Sequence, residues 1–372
     1  MKQTYEKSIL LLLLLLLTVL AGCGRQTDSQ ADQEEEQEDR IQIGISFDSF
    51  ILERWQRDRD VFVAAAQELG AEVNVQNANG DMEEQIAQVD YFIQKRMDVI
   101  VLVMVASGKD ESRLTEAVER AQKAGIPVVA YDRLILNADV DLYISFDNGQ
   151  VGRLMAEHMQ EHLEGEGELL QVCGPLADYN VSQVMDGFSE VLAGSELRIV
   201  KTEYAEGWLG ETGFAAAADY LQRYDQVDGI MCGNDSIAGN AIRALSERRL
   251  AGEVCVVGQD ADLEACQRIV EGMQCMTVYK PVEKLARRAA ELSVELAGGS
   301  RIVIGGSGRA PEASGKGTDV RDVVIRDTIY DGTYQVPYEC LEPTAVTKEN
   351  MDEEITGKYH EESDIYLNVR DH

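Results

Sequence analysis

Ile126-Pro-Val-Val-Ala-Tyr-Asp132-Arg133 is the stretch that decides the fold, because a short apolar run rich in β-branched residues ends abruptly at an adjacent acid and base. Such a run predicts a buried strand of a parallel sheet, which delivers two charges to its carboxyl end. In open α/β sheets, ligands bind in the crevice beyond these strand ends. Asp132 and Arg133 are therefore candidate ligand contacts. The competing interpretation is a solvated ion pair in a surface loop.

From residue 41 onward, short apolar runs alternate with amphipathic segments of helical period, which predicts an α/β fold with mostly parallel sheets. The predicted strands are 41–46, 72–76, 99–104, 127–130, 142–145, 168–173, 198–202, 229–232, 253–257 and 275–278. Amphipathic helices are predicted between most of these strands, for example 58–69, 82–96, 111–124, 151–163, 236–248 and 282–296. Some connections between strands are predicted to be loops only. Ten strands are more than one ordinary doubly wound sheet with a single site contains. We therefore expect two doubly wound, Rossmann-like lobes.

The chain is predicted to cross to the second lobe near Phe146 and to return near Lys280. The predicted lobes are an N-terminal one of residues 41–146 plus about 281–327, and a C-terminal one of residues 147–280 plus about 328–372. The segment 298–317, rich in Gly and Ser and containing Arg301 and Arg309, is predicted to be an excursion or flexible loop.

The first residues predict an export signal. Lys2 and Lys7 precede an apolar run over 9–20 that is too short for a comfortable membrane span. The run ends in Leu20-Ala-Gly-Cys23, which resembles the bacterial lipobox and implies cleavage after residue 22 and diacylation of the Cys23 thiol. Residues 23–40 then form an acylated, acidic tether, and the protein is expected to be anchored to the outer face of a membrane.

Composition excludes several functions. The net charge of −33 and the lack of a basic patch argue against nucleic acid as a partner, and the export signal further argues against a DNA-binding repressor. Apart from Cys23, the cysteines have no CxxC spacing, and the chain has only four histidines. Neither a metal site nor a cofactor is therefore expected.

Polar side chains follow several predicted strands, and their carboxylate, amide and guanidinium groups match the neighbouring hydroxyls of a sugar, each of which donates and accepts. These side chains are Asp132, Arg133, Asp147, Asn148, Asn234, Asp235, Asp260 and Lys280. Trp55 and Trp208 each follow a predicted strand, one in either lobe, where they could cover the C–H faces of a sugar ring. The alternative is that each Trp is an ordinary packing residue.

Enzymatic signatures are missing from the sequence. No glycine-rich phosphate loop follows the first predicted strand, and no serine nucleophile elbow occurs. We therefore expect a binding protein and not an enzyme. A sugar-processing enzyme would have to turn over its bound sugar.

Several motifs together carry a resemblance to a known family. They are Leu-Glu-Arg54-Trp55-Gln, Ala-Tyr-Asp132-Arg133, Tyr-Ile-Ser-Phe-Asp147-Asn148, Gly-Trp208-Leu, Asn234-Asp235, Gly-Gln-Asp260-Ala-Asp and Thr-Val-Tyr-Lys280-Pro. From about residue 41 to 366 the chain resembles the D-xylose-binding proteins of bacterial ABC importers. The resemblance implies a type I periplasmic-binding-protein fold, in which a three-strand hinge joins two α/β lobes that close on a monosaccharide.

The resemblance also implies roles for individual residues. Trp55 and Trp208 would stack on the pyranose ring. The residues that would hydrogen-bond the sugar hydroxyls are Arg54, Asp132, Arg133, Asn148, Asn234, Asp260 and Lys280. Asp147, Asn180 and Asp235 are secondary candidates. The segment 173–180 departs from the family pattern, which affects the expected choice of sugar.

The implied partners are a monosaccharide, D-xylose first, and an ABC permease that receives it. The lipid anchor would supply membrane contact, and a monomer is expected. The alternative is a sugar-sensing receptor that presents bound xylose to a histidine kinase or a chemoreceptor, since the sugar site alone does not distinguish the two.

Overall fold

The computed structural model describes residues 40–106, 112–224, 226–305 and 322–369, and for Glu53 the backbone alone. Several predicted features lie outside the described residues, namely the signal peptide, Cys23, nearly all of the acidic tether and Arg309. Within the described part of the chain, no helix combines the length and the apolar character that a membrane span requires.

The predicted α/β alternation is confirmed. The strands are β1 (Gln42–Phe47), β2 (Glu72–Asn77), β3 (Val99–Leu102), β4 (Val128–Tyr131), β5 (Leu142–Phe146), β6 (Glu166–Cys173), β7 (Glu196–Tyr204), β8 (Gly229–Cys232), β9 (Cys255–Gln259), β10 (Met276–Tyr279), β11 (Arg301–Ile304), β12 (Asp322–Ile325), β13 (Asp327–Tyr330), β14 (Gln335–Leu341) and β15 (Thr344–Val346). The helices are α1 (Glu53–Glu68), α2 (Met82–Lys95), α3 (Ser112–Lys123), α4 (Asn148–His162), α5 (Tyr179–Leu192), α6 (Glu211–Arg223), α7 (Asp235–Glu247), α8 (Leu263–Val270), α9 (Val282–Ala297), α10 (Met351–Glu354) and α11 (Glu362–Ile365).

The first sheet has the strand order β13-β14-β5-β4-β3-β1-β2, and all its pairs are parallel except β13 with β14. Every residue of its central strands β3, β4 and β5 is buried, because helices cover both faces of the sheet. Helices α2 and α3 enclose one apolar core with the sheet, while α1 packs against α9.

The second sheet has the order β15-β10-β9-β8-β6-β7, and only β15 is antiparallel to its neighbour. Helices α6 and α7 share one apolar core with it. Helices α4 and α5 share another, and α4 contacts β9, β10 and β15. Two doubly wound sheets are thus present, as the sequence predicted.

The chain passes between the sheets at three places. The first passage lies between β5 and α4, and the second lies between β10 and α9. The third passage was predicted near residue 328, and this boundary is wrong. Strand β14 belongs to the first sheet because Tyr338 lies opposite Tyr143 in a parallel pair with β5. The final return comes after Leu341, where β15 pairs with β10.

Three further helices connect strands of the second sheet, namely α5 between β6 and β7, α6 between β7 and β8, and α8 between β9 and β10. In α5 the helical pattern is interrupted by Gly187, which is unfavourable in a helix interior. A Cβ atom at Gly187 would lie 2.0 Å from the carbonyl oxygen of Gly149 in α4. The glycine therefore permits close packing of the two helices, which compensates for its low helix propensity.

The predicted excursion at 298–317 contains a strand among its described residues. Arg301–Ile304 pairs in parallel with Asp322–Ile325, and the two form a separate two-stranded sheet. Arg301 lies 3.2 Å from Asp322 within it.

Candidate functional site

A cavity lies at the carboxyl ends of strands from both sheets, and its side chains pack so closely that its volume is only about 20 Å³. Its lining residues are Leu52, Arg54, Trp55, Asp132, Arg133, Asn148, Asp178, Asn180, Trp208, Gln259, Asp260 and Lys280. Every primary sugar contact predicted from the sequence is in this set except Asn234, and the secondary candidate Asn180 is in it too. The structure therefore brings together side chains that are more than 200 residues apart in the sequence.

Asp132 and Asp260 occupy equivalent positions, since each directly follows the last residue of a strand. Asp132 follows β4, and Asp260 follows β9. Both adopt the left-handed region, with φ of 63° and 99°. Such a conformation is costly for residues other than glycine and persists only where the surroundings hold it. At Asp132 the backbone carbonyl accepts hydrogen bonds from Tyr143 at 3.0 Å and from Ser145 at 2.7 Å.

Arg54, in the first turn of α1, is the centre of one buried charge network. Its guanidinium group lies 2.7 Å from Asp132, 3.5 Å from Asp58 and 3.8 Å from Asp260. Asp260 is in turn 2.8 Å from the Lys280 ammonium group. The network thus joins residues of the first sheet to Asp260 of the second across the cavity. Buried charges of this kind are tolerated because each is paired.

Arg133 is the centre of a second network. Its guanidinium group lies 2.6 Å from Asp48 and 2.8 Å from Asp178, and it donates a hydrogen bond to the Met104 carbonyl at 2.8 Å. Asp178 precedes α5 on the second-sheet side, and its other carboxylate oxygen accepts a hydrogen bond from the Asn180 backbone at 3.0 Å. Asp132 and Arg133 are therefore buried in a wall of the cavity, and a solvated surface ion pair is ruled out for them.

Electrostatics keep Asp132 charged. Burial alone would raise the pKa of Asp132, but the positive charges of Arg54, Lys280 and Arg133 hold the pKa below its ordinary value. At Asp178 burial dominates and raises the pKa, although Arg133 opposes the shift. Two acidic groups with different proton affinities therefore line the same cavity.

Trp208 forms part of the second-sheet wall, in a short 3₁₀ turn at Glu206–Trp208. Its indole Nε1 donates a hydrogen bond to Asp178 at 3.2 Å. The ring lies against Gly174, where a Cβ atom would come within 2.5 Å of the indole carbons. Glycine at this position thus makes room for the ring, and Asp178 fixes its orientation.

Trp55 lies on the opposite wall and is buried. The Arg54 guanidinium carbon is 4.3 Å from the Trp55 ring centroid, and the Arg133 carbon is 5.5 Å from it. Among the described residues that line the cavity, Arg54 Nε, Trp55 Nε1, Gln259 Oε1 and Asp260 Oδ1 are buried without a hydrogen-bond partner. Arg54 Nε and Asp260 Oδ1 belong to ion pairs, whereas Trp55 Nε1 and Gln259 Oε1 are uncharged and have no such partner. Both residues line the cavity, so a ligand there would find one donor and one acceptor unused by the protein.

Three of the predicted polar residues do not line the cavity. Asp147 and Asn234 cap helices α4 and α7, where their side chains accept hydrogen bonds from Gln150 and Ile237 at 2.8 Å. The Asp235 carboxylate accepts hydrogen bonds from Thr277 and Gln274 beneath α7. Burial raises the pKa of Asp235 to about 7. Asp and Asn are favoured at helix starts for the same hydrogen-bonding reason that suits them to sugars.

Sequence reasoning missed Leu52, Asp178 and Gln259. Asp178 could have been found, because it follows β6 after a short loop and stands at the helix-cap position of α5. Gln259 directly precedes Asp260 at the end of β9. Leu52 carries no polar group, and nothing in its local sequence distinguishes it.

The acidic groups of the cavity have cationic partners within the protein, so they do not form an open metal site. Over the described residues, a group that could hold a metal ion lies elsewhere and comprises His158, His162, Cys255 and Cys275.

Comparison with known proteins identifies the family. The sequence model of a protein family described as "Periplasmic binding protein domain" matches residues 43–301. The D-xylose-binding periplasmic protein of Haemophilus influenzae is 39% identical over 332 residues, which cover 88% of this chain and 92% of that protein. The protein of the same name from Escherichia coli is 37% identical over 331 residues, with coverage of 87% and 92%.

A solved structure has the same architecture. The carbohydrate transporter solute-binding protein of Chloroflexus aurantiacus, in complex with D-glucose, matches with a TM-score of 0.73 at 25% identity. The match covers 87% of this chain and 98% of that one. The fold class and the resemblance predicted from the motifs are confirmed. The chain belongs to the periplasmic binding protein family, whose members are non-enzymatic solute binders.

Proposed function

We propose that this protein is an extracytoplasmic receptor that captures D-xylose, or a closely related aldose, between its two lobes and delivers it to an ABC permease. The observation that carries the proposal is the cavity between the sheets, with its buried charged groups, its two tryptophans and the unpartnered Trp55 Nε1 and Gln259 Oε1. The names of the relatives from H. influenzae and E. coli support D-xylose as the first sugar to test.

The chemistry of the cavity suits a ring that carries several hydroxyl groups. Each hydroxyl can donate to a carboxylate of Asp132 or Asp260 and accept from a cation such as Lys280. Charge-assisted hydrogen bonds of this kind are stronger than neutral ones. The unpartnered Trp55 Nε1 and Gln259 Oε1 would be satisfied by the same ligand.

Contacts across the cavity support closure by a hinge motion. Arg133 of the first-sheet side pairs with Asp178 at 2.8 Å, and the Asn180 amide donates to the Asp132 carbonyl at 3.0 Å. Because the cavity, at about 20 Å³, is smaller than a sugar, the walls must move apart to admit one. A sugar that then contacts both walls shifts the population toward a form closed around it. A permease would then recognise the closed form.

A thermal-shift screen of the full chain against pentoses and hexoses tests the proposed ligand. A ligand that binds only the folded state at 1,000 times its Kd adds about 4 kcal/mol of stability. We expect D-xylose to give the largest rise in Tm, ahead of L-arabinose and D-glucose. Xylitol, which has the hydroxyl pattern of xylose but no ring, is the matched control and should give a smaller rise. No shift with any aldose would contradict the proposal.

We also propose that the protein is held at the membrane by a lipid on Cys23. An apolar leader that ends in Leu-Ala-Gly before this cysteine motivates the proposal. Because acyl chains partition into a bilayer, replacing Cys23 with alanine should move the protein from the membrane fraction to the soluble fraction of the cell exterior. Mass spectrometry of the wild-type N-terminal peptide should find the acylated cysteine, and an unmodified mature Cys23 would refute the anchor.

A further inference from the structure

A cluster of two histidines and two cysteines lies in the second sheet, outside the sugar cavity. The ligand atoms of His158, His162, Cys255 and Cys275 all lie within 4.8 Å of one another. The sequence predicted no metal site because the cysteines lack CxxC spacing. That rule detects cysteines that are neighbours in sequence, whereas Cys255 and Cys275 belong to the starts of two different strands and the two histidines to a helix.

The fold explains why the four side chains meet. His158 and His162 are four residues apart near the end of α4, so they lie on one face of the helix. Cys255 is the first residue of β9, and Cys275 directly precedes the neighbouring strand β10. Helix α4 contacts both strands. The packing of one helix on two parallel strands thus places all four side chains together.

The cluster is remote from the cavity. It lies at the amino ends of β9 and β10, while Gln259 and Lys280 of the cavity lie at their carboxyl ends. With a rise of about 3.3 Å per residue, the length of β9 separates the two sites by roughly 13 Å. A ligand of the cluster therefore does not touch the sugar.

The donor set fits one class of ion. Two thiolates and two imidazoles in a tetrahedron are typical of structural zinc sites, with Zn–S of about 2.3 Å and Zn–N of about 2.0 Å. Those bond lengths place ligand atoms about 3.3–3.8 Å apart. The Cys275 Sγ and His162 Nε2 atoms are 4.0 Å apart, so small side-chain shifts would complete the geometry.

The burial of the four side chains also suits metal binding. Cys255 is buried, His158 and Cys275 are half-buried, and His162 is exposed, which leaves an entry path from solvent.

We propose that His158, His162, Cys255 and Cys275 form a structural Zn²⁺ site that ties the end of α4 to strands β9 and β10. Four protein ligands complete the tetrahedral coordination sphere of the ion, so no coordination position remains for a catalytic water or a substrate. All four belong to the second sheet and its helix, so the ion stabilises that part of the molecule without bridging the walls of the cavity. Sugar affinity should therefore depend little on the metal.

The test uses the full chain, purified anaerobically in detergent, stripped with a chelator and titrated with Zn²⁺ or Co²⁺. We expect one ion per chain, a rise in Tm on reloading, and for Co²⁺ the thiolate charge-transfer band and tetrahedral ligand-field bands. His162→Gln and Cys275→Ser should each lower Zn²⁺ affinity at least about tenfold. Cys340→Ser, which alters a half-buried thiol of the first sheet, is the matched control and should bind as the wild type does.

His162 is exposed, so its substitution should leave the fold intact, and circular dichroism of each variant checks this. The site is refuted if the stripped wild type takes up no stoichiometric metal, or if both variants bind as the control does. Peptide mapping of the freshly isolated, unreduced protein tests whether Cys255 and Cys275 are free thiols. A disulfide between Cys255 and Cys275 would also overturn the zinc site, whereas alkylation of both thiols only after chelation supports it.

Discussion

Replacing Trp208 with alanine should weaken D-xylose binding roughly 70-fold. Stacking of the indole on the sugar would remove about 100 Å² of apolar surface from water, which contributes about 2.5 kcal/mol at 25 cal/mol per Å². The substitution also frees the Asp178 carboxylate, which accepts a hydrogen bond from Trp208 at 3.2 Å. Titration calorimetry of the variant beside the wild type measures the change.

Trp208→Phe is the matched control, because phenylalanine keeps an aromatic face against Gly174 and loses only the indole donor. We expect this variant to bind less than about tenfold more weakly than the wild type. If Trp208→Ala binds D-xylose as tightly as the wild type does, the ring is a packing residue and does not stack on the sugar.

Arg54→Met should reduce the free energy of unfolding by about 3–5 kcal/mol, because it leaves buried carboxylates without their cation. Arg54 lies 2.7 Å from Asp132 and 3.5 Å from Asp58, and all three side chains are almost fully buried. Chemical denaturation of both proteins at pH 7 measures the loss. Methionine fills a similar volume, so the effect reports charge and not a cavity.

The control is Arg57→Met on the same helix. Arg57 pairs with Glu283, and both side chains are about a third exposed. Partly exposed ion pairs contribute about 1 kcal/mol or less. If the two variants lose equal amounts of unfolding free energy, the buried ion pairs of Arg54 do not stabilise the fold more than a partly exposed ion pair does.

The loss in Arg54→Met should depend on pH with a definite sign. Without Arg54, burial raises the pKa of Asp58 and Asp132 in the folded state, and burial already raises the pKa of Asp58 to about 6 in the wild type. The folded variant therefore binds protons more tightly than the unfolded chain does, so its stability falls as the pH rises. The difference in stability between wild type and variant should narrow as the pH falls from 7 toward 4. A difference that widens toward pH 4 would refute the role of these carboxylates.

The parallel fold could be predicted because buried strands such as β3 and β4 are continuous apolar runs between amphipathic helices. The place of the third passage between the sheets could not be predicted from the sequence. Strand β14 mixes polar residues and Pro337 with apolar ones, and its place in the first sheet depends on pairing with β5, about 190 residues earlier in the chain. Such long-range pairing leaves no local pattern.

The cavity could be predicted in large part, since Asp132 and Asp260 both follow directly on strand ends. Helix caps limited the prediction. Asn234 caps α7, although its residue type and position equally suit a ligand contact. Of the histidine and cysteine cluster, only the spacing of His158 and His162 is visible in the sequence, because packing of α4 on β9 and β10 brings the two cysteines to them.

Titration calorimetry of the full chain with D-xylose tests the proposed sugar site most directly. We predict saturable binding of one sugar per chain with a Kd in the micromolar range or below, which corresponds to about 8 kcal/mol or more of binding free energy. A folded protein that shows no saturable binding of D-xylose would contradict the proposed sugar site.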